Sequence, residues 1–121
     1  MDKIVKGSSV INVVDKAWGF EEIWAKTDRY VGKMLHIKAG HRLSLQYHEV
    51  KDETILVLRG RIILHHNGTE QILEEGETAH IKAGNQHRFC AIDENVVLLE
   101  VSTPELDDVI RIEDDYNRAT K

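Results

Sequence analysis

Gln46 and His48 stand two residues apart in the stretch His41-Arg-Leu-Ser-Leu-Gln-Tyr-His48. On a β-strand that spacing projects both side chains from one face. Five residues beyond His48, Glu53 opens an apolar run, Ile55-Leu56-Val57-Leu58, that ends at Gly60. The pattern predicts a strand carrying two ligands, a short turn, and a neighbouring strand that delivers a carboxylate beside them. A second stretch, Gly76 to His87, supplies another imidazole. An amide oxygen, two imidazoles and a carboxylate together suit a divalent first-row metal and leave positions open for water or two substrate oxygens. Zn²⁺ is the leading choice, and the mixed oxygen and nitrogen set also accepts Mn²⁺, Fe²⁺, Co²⁺ or Ni²⁺. The other five histidines, His36, His41, His65, His66 and His80, fall outside this rhythm. They are expected to be exposed or hydrogen-bonded structural residues.

The elements that must position these groups are short. From Trp18 onward, apolar runs alternate with turn signals at Gly40, Gly60, Asn67-Gly68, Gly76, Gly84 and 93–95. Asn67-Gly68 is the sharpest signal, because both residue types tolerate the positive φ of a type I′ hairpin turn. Thr27-Asp28-Arg29 is expected to connect another hairpin, between 21–26 and 30–37. Strands are then expected at 43–48, 53–59, 61–66, 70–73, 77–81, 87–92 and 95–102. Many closely spaced strands without an amphipathic helix predict an all-β, antiparallel jelly-roll barrel. Residues 1–16 are expected to form an N-terminal arm or edge strand of a single domain spanning 1–121. At the other end, Val109-Ile110 and 111–118 are expected to give a final strand and a helical turn. In strand 43–48 the second face carries Leu43, Leu45 and Tyr47. If the ligands face inward, this apolar outer face needs a cover, which predicts a homodimer.

With 121 residues the chain can build one modest core. A formal charge of −5 and no basic run disfavour a nucleic-acid partner. An anionic substrate must therefore be held by locally placed Arg and Lys. One cysteine, Cys90, allows no intrachain disulfide. There is no apolar stretch of signal-peptide or membrane-spanning length. The expectation is a cytoplasmic protein with no membrane partner.

The two ligand-bearing stretches resemble the paired motifs of the cupin superfamily, whose fold is a double-stranded β-helix. The family's first motif runs Gly, five residues, His-x-His, a short gap, Glu, six residues, Gly, and Gly40, Gln46, His48, Glu53 and Gly60 keep that rhythm. Gln46, where most cupins have His, is similar to the branch containing type II mannose-6-phosphate isomerases and the C-terminal half of bifunctional mannose-1-phosphate guanylyltransferases. Further matches to that branch are Trp18-Gly19, Lys33 after Tyr30, Arg42-Leu43-Ser44-Leu45-Gln46 and Ala83-Gly84-x-x-His87-Arg88. At the end of the chain the match is Ile110-Arg111-Ile112-Glu113-Asp114-x-Tyr116-x-Arg118. The resemblance spans residues 17–118. It implies Gln46, His48, Glu53 and His87 as metal ligands and places Lys33, Arg42, Arg88, Arg111 and Arg118 on basic, phosphate-facing positions.

The implied reaction interconverts mannose 6-phosphate and fructose 6-phosphate through an enediolate, with a base moving one proton between C1 and C2. Lys51 and Glu100 are the candidates for that base. The sequence departs from the branch at Lys51, where Arg is usual, and at Asn117, where Gly is usual. No nucleotide-binding Gly-rich loop precedes the motifs, so guanylyl transfer is not expected of this stretch. Two other function classes fit the same residues: a non-catalytic sugar- or sugar-phosphate-binding cupin, and a non-haem metal oxygenase built on two histidines and a carboxylate.

Overall fold

The computed structural model describes residues 12–116. Eleven strands, and no helix, occur among these residues. They are β1 Asn12–Lys16, β2 Gly19–Lys26, β3 Val31–Ile37, β4 Leu45–Tyr47, β5 Glu53–Arg59, β6 Ile62–His66, β7 Thr69–Leu73, β8 Thr78–Ile81, β9 His87–Ala91, β10 Val96–Ser102 and β11 Ile110–Glu113. All pairings are antiparallel. One sheet runs β1-β2-β3-β10-β5-β8 and the other β11-β4-β9-β6-β7. Each expected strand from β2 to β10 is present, within two residues of the expected bounds.

Two turns explain themselves chemically. Asn67 and Gly68 have φ of 49° and 83°, the paired positive values that a type I′ connection between β6 and β7 demands. Thr27 closes the β2–β3 hairpin by accepting N–H bonds from Arg29 and Tyr30 on its hydroxyl, each at 3.1 Å.

Alternation along the strands sends one set of side chains between the sheets. Leu35, Ile37, Ile55, Val57, Ile62, Leu64, Phe89 and Leu98 are buried there and form the centre of the core. Each contributes about 1.5–3 kcal/mol by leaving water. The opposite face of the six-stranded sheet is also apolar. Met34, Leu99 and Leu56 stand side by side across β3, β10 and β5, with Trp24, Val101 and Leu58 exposed around them. The Trp24 ring lies directly over Gly32, where an added Cβ would come within 2.7 Å of it.

The apolar outer face is therefore on the larger sheet, not on the ligand-bearing strand. Leu43, expected to point outward, is in the core, because regular strand geometry begins only at Leu45. Residues 12–16 of the expected N-terminal arm form an edge strand on β2 of the same chain. Residues 1–11 lie outside the described region, as does the end of the expected terminal turn. The final strand is present as β11, paired with β4.

Candidate functional site

The ligand-bearing strands come from both sheets and meet at one end of the barrel. Gln46 on β4 faces His87 on β9 in register, and Arg111 on β11 faces Gln46 from the other side. Directly opposed residues share a sheet face, so these three side chains lie on one side. Glu53 begins β5 in the opposite sheet, opposite Ser102. The turn before His87 is tied to the first stretch by the Gly84 N–H, which donates to the His48 carbonyl at 2.6 Å.

His48, Glu53 and His87 converge, with one ligand atom from each lying within 4.8 Å of the others. Nε2 of His48 is 3.2 Å and Nε2 of His87 is 3.0 Å from Oε1 of Glu53. All three residues are 1–2% exposed and so withdrawn from bulk water. The tautomers follow from the far side of each ring. His48 Nδ1 donates to the Asp108 carbonyl at 2.5 Å, and His87 Nδ1 donates to the Asn85 carbonyl at 2.9 Å. A neutral ring with Nδ1–H presents a bare Nε2 lone pair. Two such lone pairs thus face a carboxylate oxygen, an arrangement of three acceptors. Nε2 of His87 and Oε2 of Glu53 find no hydrogen-bond partner. A divalent cation satisfies this donor set, and ring orientation by a carbonyl on the distal nitrogen is what histidine metal ligands require.

Gln46 belongs to the same wall but is differently engaged. Its Oε1 accepts a bond from the Ser44 hydroxyl at 2.7 Å, and its side chain is half-buried.

A cavity of about 360 Å³ opens beside this cluster. Along one wall acids and bases alternate, Glu21, Lys33, Glu100 and Lys51, leading to His48. Lys33 Nζ is 3.3 Å from Glu21, and Lys51 Nζ is 3.3 Å from Glu100 and 3.6 Å from Glu53. Trp18, Leu43 and Phe89 make an apolar wall. Burial pushes the Glu100 carboxyl up, and the nearby Glu53 charge adds to this against the pull of Lys51, raising it to about 8. Burial alone would also raise Glu53. Hydrogen bonds from His48 and His87 whenever their Nε2 atoms carry a proton, with Glu100 and the Lys51 charge, outweigh it and hold that carboxyl well below its usual range. Lys51 likewise overcomes its burial through Glu100 and Glu53 and is raised.

The basic positions separate into two groups. Lys33 and Arg111 line the cavity, as does Lys16. Arg42 and Arg88 do not. Arg42 forms a forked pair with Asp115 at 2.8 and 2.9 Å. Arg88, on the face of β9 opposite His87, donates to the carbonyls of Leu43 and Glu113 at 2.7 and 3.2 Å. Both guanidinium groups join segments together, and neither lines the cavity. Arg118 lies outside the described residues.

Each of the five remaining histidines contacts a neighbour outside the three-residue cluster, and of these His66 stands opposite His87 in register. His36 pairs with Glu22, His65 with Glu70 and His80 with Asp52, while His41 meets the Ala39 carbonyl and His66 meets Asn85.

Sequence reasoning passed over two residues here. Glu21 sits in a strand whose two faces both mix polar and apolar types, so only register shows that it points inward. Asp108 follows another aspartate in a loop, where spacing carries no sign of its partner.

Comparison with known proteins agrees with the motifs and the architecture. The mannose-1-phosphate guanylyltransferase ManC of Salmonella typhimurium is 33% identical over 111 residues, covering 87% of this chain and 23% of that protein. A mannose-1-phosphate guanylyltransferase of Escherichia coli K12 is 32% identical over the same length. The chain thus spans about a quarter of the length of these relatives. Among solved structures, KdgF from a Halomonas species superposes with a TM-score of 0.75 at 19% identity, over 85% of this chain and 98% of that one. A cupin-superfamily sugar phosphate isomerase from Silicibacter pomeroyi gives 0.61 at 24% identity, over 69% and 59%. The Cupin domain family itself matches residues 33–102, a segment that begins at Lys33 in the charged wall and ends where β10 leaves the larger sheet. With that match over more than half its length, the chain is a member of the cupin domain family and its barrel a double-stranded β-helix.

Proposed function

We propose that this cupin is a metal-dependent sugar-phosphate isomerase that interconverts mannose 6-phosphate and fructose 6-phosphate. The observation that carries the reading is the convergence of three buried acceptors, His48 Nε2, His87 Nε2 and Glu53 Oε1, beside a cavity lined with paired acids and bases. His48, Glu53 and His87 would hold the metal, with the Gln46 amide as a fourth ligand once it turns from Ser44. A bound divalent ion, Zn²⁺ first among the candidates, supplies Lewis acidity to the oxygens on C1 and C2.

The chain's own residues supply the rest. Lys51 and Glu100, 3.3 Å apart on the cavity wall, form an acid–base pair that can take a proton from one carbon and return it to its neighbour. Their closeness to Glu53 keeps that proton transfer beside the reacting oxygens. Arg111 and Lys16 provide positive charge for the phosphate, and the forked guanidinium of Arg111 suits two of its oxygens. Trp18 and Phe89 pack against the carbon skeleton and exclude water from it. Support from comparison is the relationship to mannose-1-phosphate guanylyltransferases and the fold shared with proteins described as sugar phosphate isomerases.

A second reading, a non-catalytic cupin that binds a sugar or sugar phosphate, draws on the pairing of Lys33 with Glu21, which leaves less charge for an anion. An oxygenase would use the same two histidines and carboxylate with iron. One experiment separates the three. The protein is reconstituted with Zn²⁺, Mn²⁺, Co²⁺ or Fe²⁺ and assayed for coupled conversion of mannose 6-phosphate to fructose 6-phosphate, with oxygen uptake followed in parallel. Turnover without oxygen uptake supports the isomerase. Saturable binding of the sugar phosphate with no turnover under any metal replaces it with the binding reading, and iron-dependent oxygen uptake replaces it with the oxygenase.

A further inference from the structure

Asp108 makes four hydrogen bonds to the ligand-bearing turn. Its carboxylate accepts three backbone N–H bonds from consecutive residues: Glu49 at 3.0 Å, and Val50 and Lys51 each at 2.8 Å. Its carbonyl takes the Nδ1 proton of His48 at 2.5 Å. Five residues earlier, Thr103 adds two more bonds to the same turn. Its N–H donates to the Asp52 carbonyl, and its hydroxyl accepts from the Asp52 N–H, both at 3.0 Å. Six hydrogen bonds thus fasten residues 103–108 to residues 48–52. The fastened segment is itself part of the cavity, since Leu106, Asp107 and Val109 line it.

We propose that Asp108 is a positioning residue: by clamping the 49–51 turn with its carboxylate, it sets its own carbonyl against His48 and so fixes which nitrogen of that ring faces Glu53 and His87. The inference rests on the metal-site reading above for its consequence, but its physical content is a statement about one ring. A histidine that can rotate, or carry its proton on Nε2, cannot offer a lone pair to a shared cation. The side chain and the main chain of Asp108 act on different targets, and neither contact survives without the other. Release of the three amides frees the loop, and the carbonyl moves away from Nδ1. Lys51 is carried by the same turn, so the clamp also sets where its ammonium meets Glu100.

The test uses the full chain in wild-type form and as Asp108→Ala, Asp108→Asn and a remote control, Asp93→Asn. Two readouts are taken on each. The first is ¹⁵N imidazole NMR of the metal-free protein, which reports whether His48 Nδ1 holds a proton protected from solvent exchange. The second is Co²⁺ affinity by calorimetry, with the visible bands of the bound ion. The wild type and Asp93→Asn should show a protected Nδ1 proton. Asp108→Ala should lose it and bind Co²⁺ about 10- to 100-fold more weakly with shifted bands, the usual effect of removing a group that orients a ligand. Asp108→Asn keeps one acceptor oxygen and should fall between. An Asp108→Ala protein that keeps the protected Nδ1 proton overturns the proposal, even if its thermal midpoint falls, because the residue would then be structural only. A wild type with the protected proton but no Co²⁺ binding leaves the positioning role standing and removes the metal-site reading instead.

Discussion

Lys51 and Glu100 form a bridge whose other foot is Glu53: one buried ammonium lies 3.3 Å from the first carboxylate and 3.6 Å from the second. The side chains of all three are 1–5% exposed. Lys51→Met should therefore be costly in two ways. It leaves two carboxylates together without their cation, a loss of about 3–5 kcal/mol for a broken buried pair. It also removes half of the proposed acid–base pair. Glu100→Gln separates the two effects, since the amide keeps the shape and can still accept from Lys51. That variant should stay folded and bind metal while kcat falls by about 10²–10⁴-fold. Circular dichroism, metal content and turnover on the same preparations check it.

Removal of the imidazoles should remove the metal. A His48→Ala, His87→Ala double variant is expected to lose stoichiometric Zn²⁺ by elemental assay, whereas replacement of the exposed His80 should not change it. Metal also stabilises the fold by mass action. At free Zn²⁺ about 100 times its Kd, the wild type should gain about 2.7 kcal/mol, seen as a rise in thermal midpoint that chelation reverses. The double variant should show no such rise.

How far these features could be read from the chain depended on whether a local rule governed them. Asn67-Gly68 specified its turn because few residue pairs tolerate two positive φ values in succession. Continuous apolar runs bounded by turn signals located β5 and β10, and the structure buries Ile55, Val57 and Leu98 in the core. Residues His48, Glu53 and His87 were legible from motif spacing, and the structure brings them together. Arg42 and Arg88 show where that reasoning weakens. A cation's sequence position does not reveal whether its guanidinium reaches a cavity or meets a carboxylate such as Asp115 from a distant segment. Glu21 and Asp108 were hidden for the same reason, as their partners are set by sheet register and by a long loop.

The Arg42–Asp115 pair gives a small pH dependence with a definite sign. The hydrogen bonds from Arg42 chiefly, against a little desolvation, hold the Asp115 carboxyl below its ordinary 3.8. A depressed folded-state value means the stabilisation is present above the unfolded value and disappears as pH falls through the folded one. Both side chains are about two-fifths exposed, so screening limits the pair to about 0.2–1 kcal/mol. Chemical denaturation of the wild type and Asp115→Asn should differ by that amount at pH 7, and the difference should shrink as pH falls below 3.8 and through the lower folded-state value. A gap that persists at acid pH would assign the contribution to packing of the 114–116 segment, where Tyr116 meets the core.

The outer face of the larger sheet leads to an assembly. Trp24, Val101 and Leu58 are 46–50% exposed around the half-buried row Met34, Leu99 and Leu56. Continuous apolar surface of this kind is usually covered. We propose a second copy as the cover, because a two-fold axis lying parallel to the sheet apposes the patch to itself, and aligned sheet faces pack well at about 10 Å. Trp24, lying flat over Gly32, would then present a broad ring rather than an edge. Sedimentation at micromolar concentration should give a dimer for the wild type and a monomer for Leu58→Glu combined with Val101→Glu. Both substitutions are on the exposed face, so metal binding should be unchanged. A monomeric wild type at that concentration would end the dimer proposal and leave the patch to some other partner.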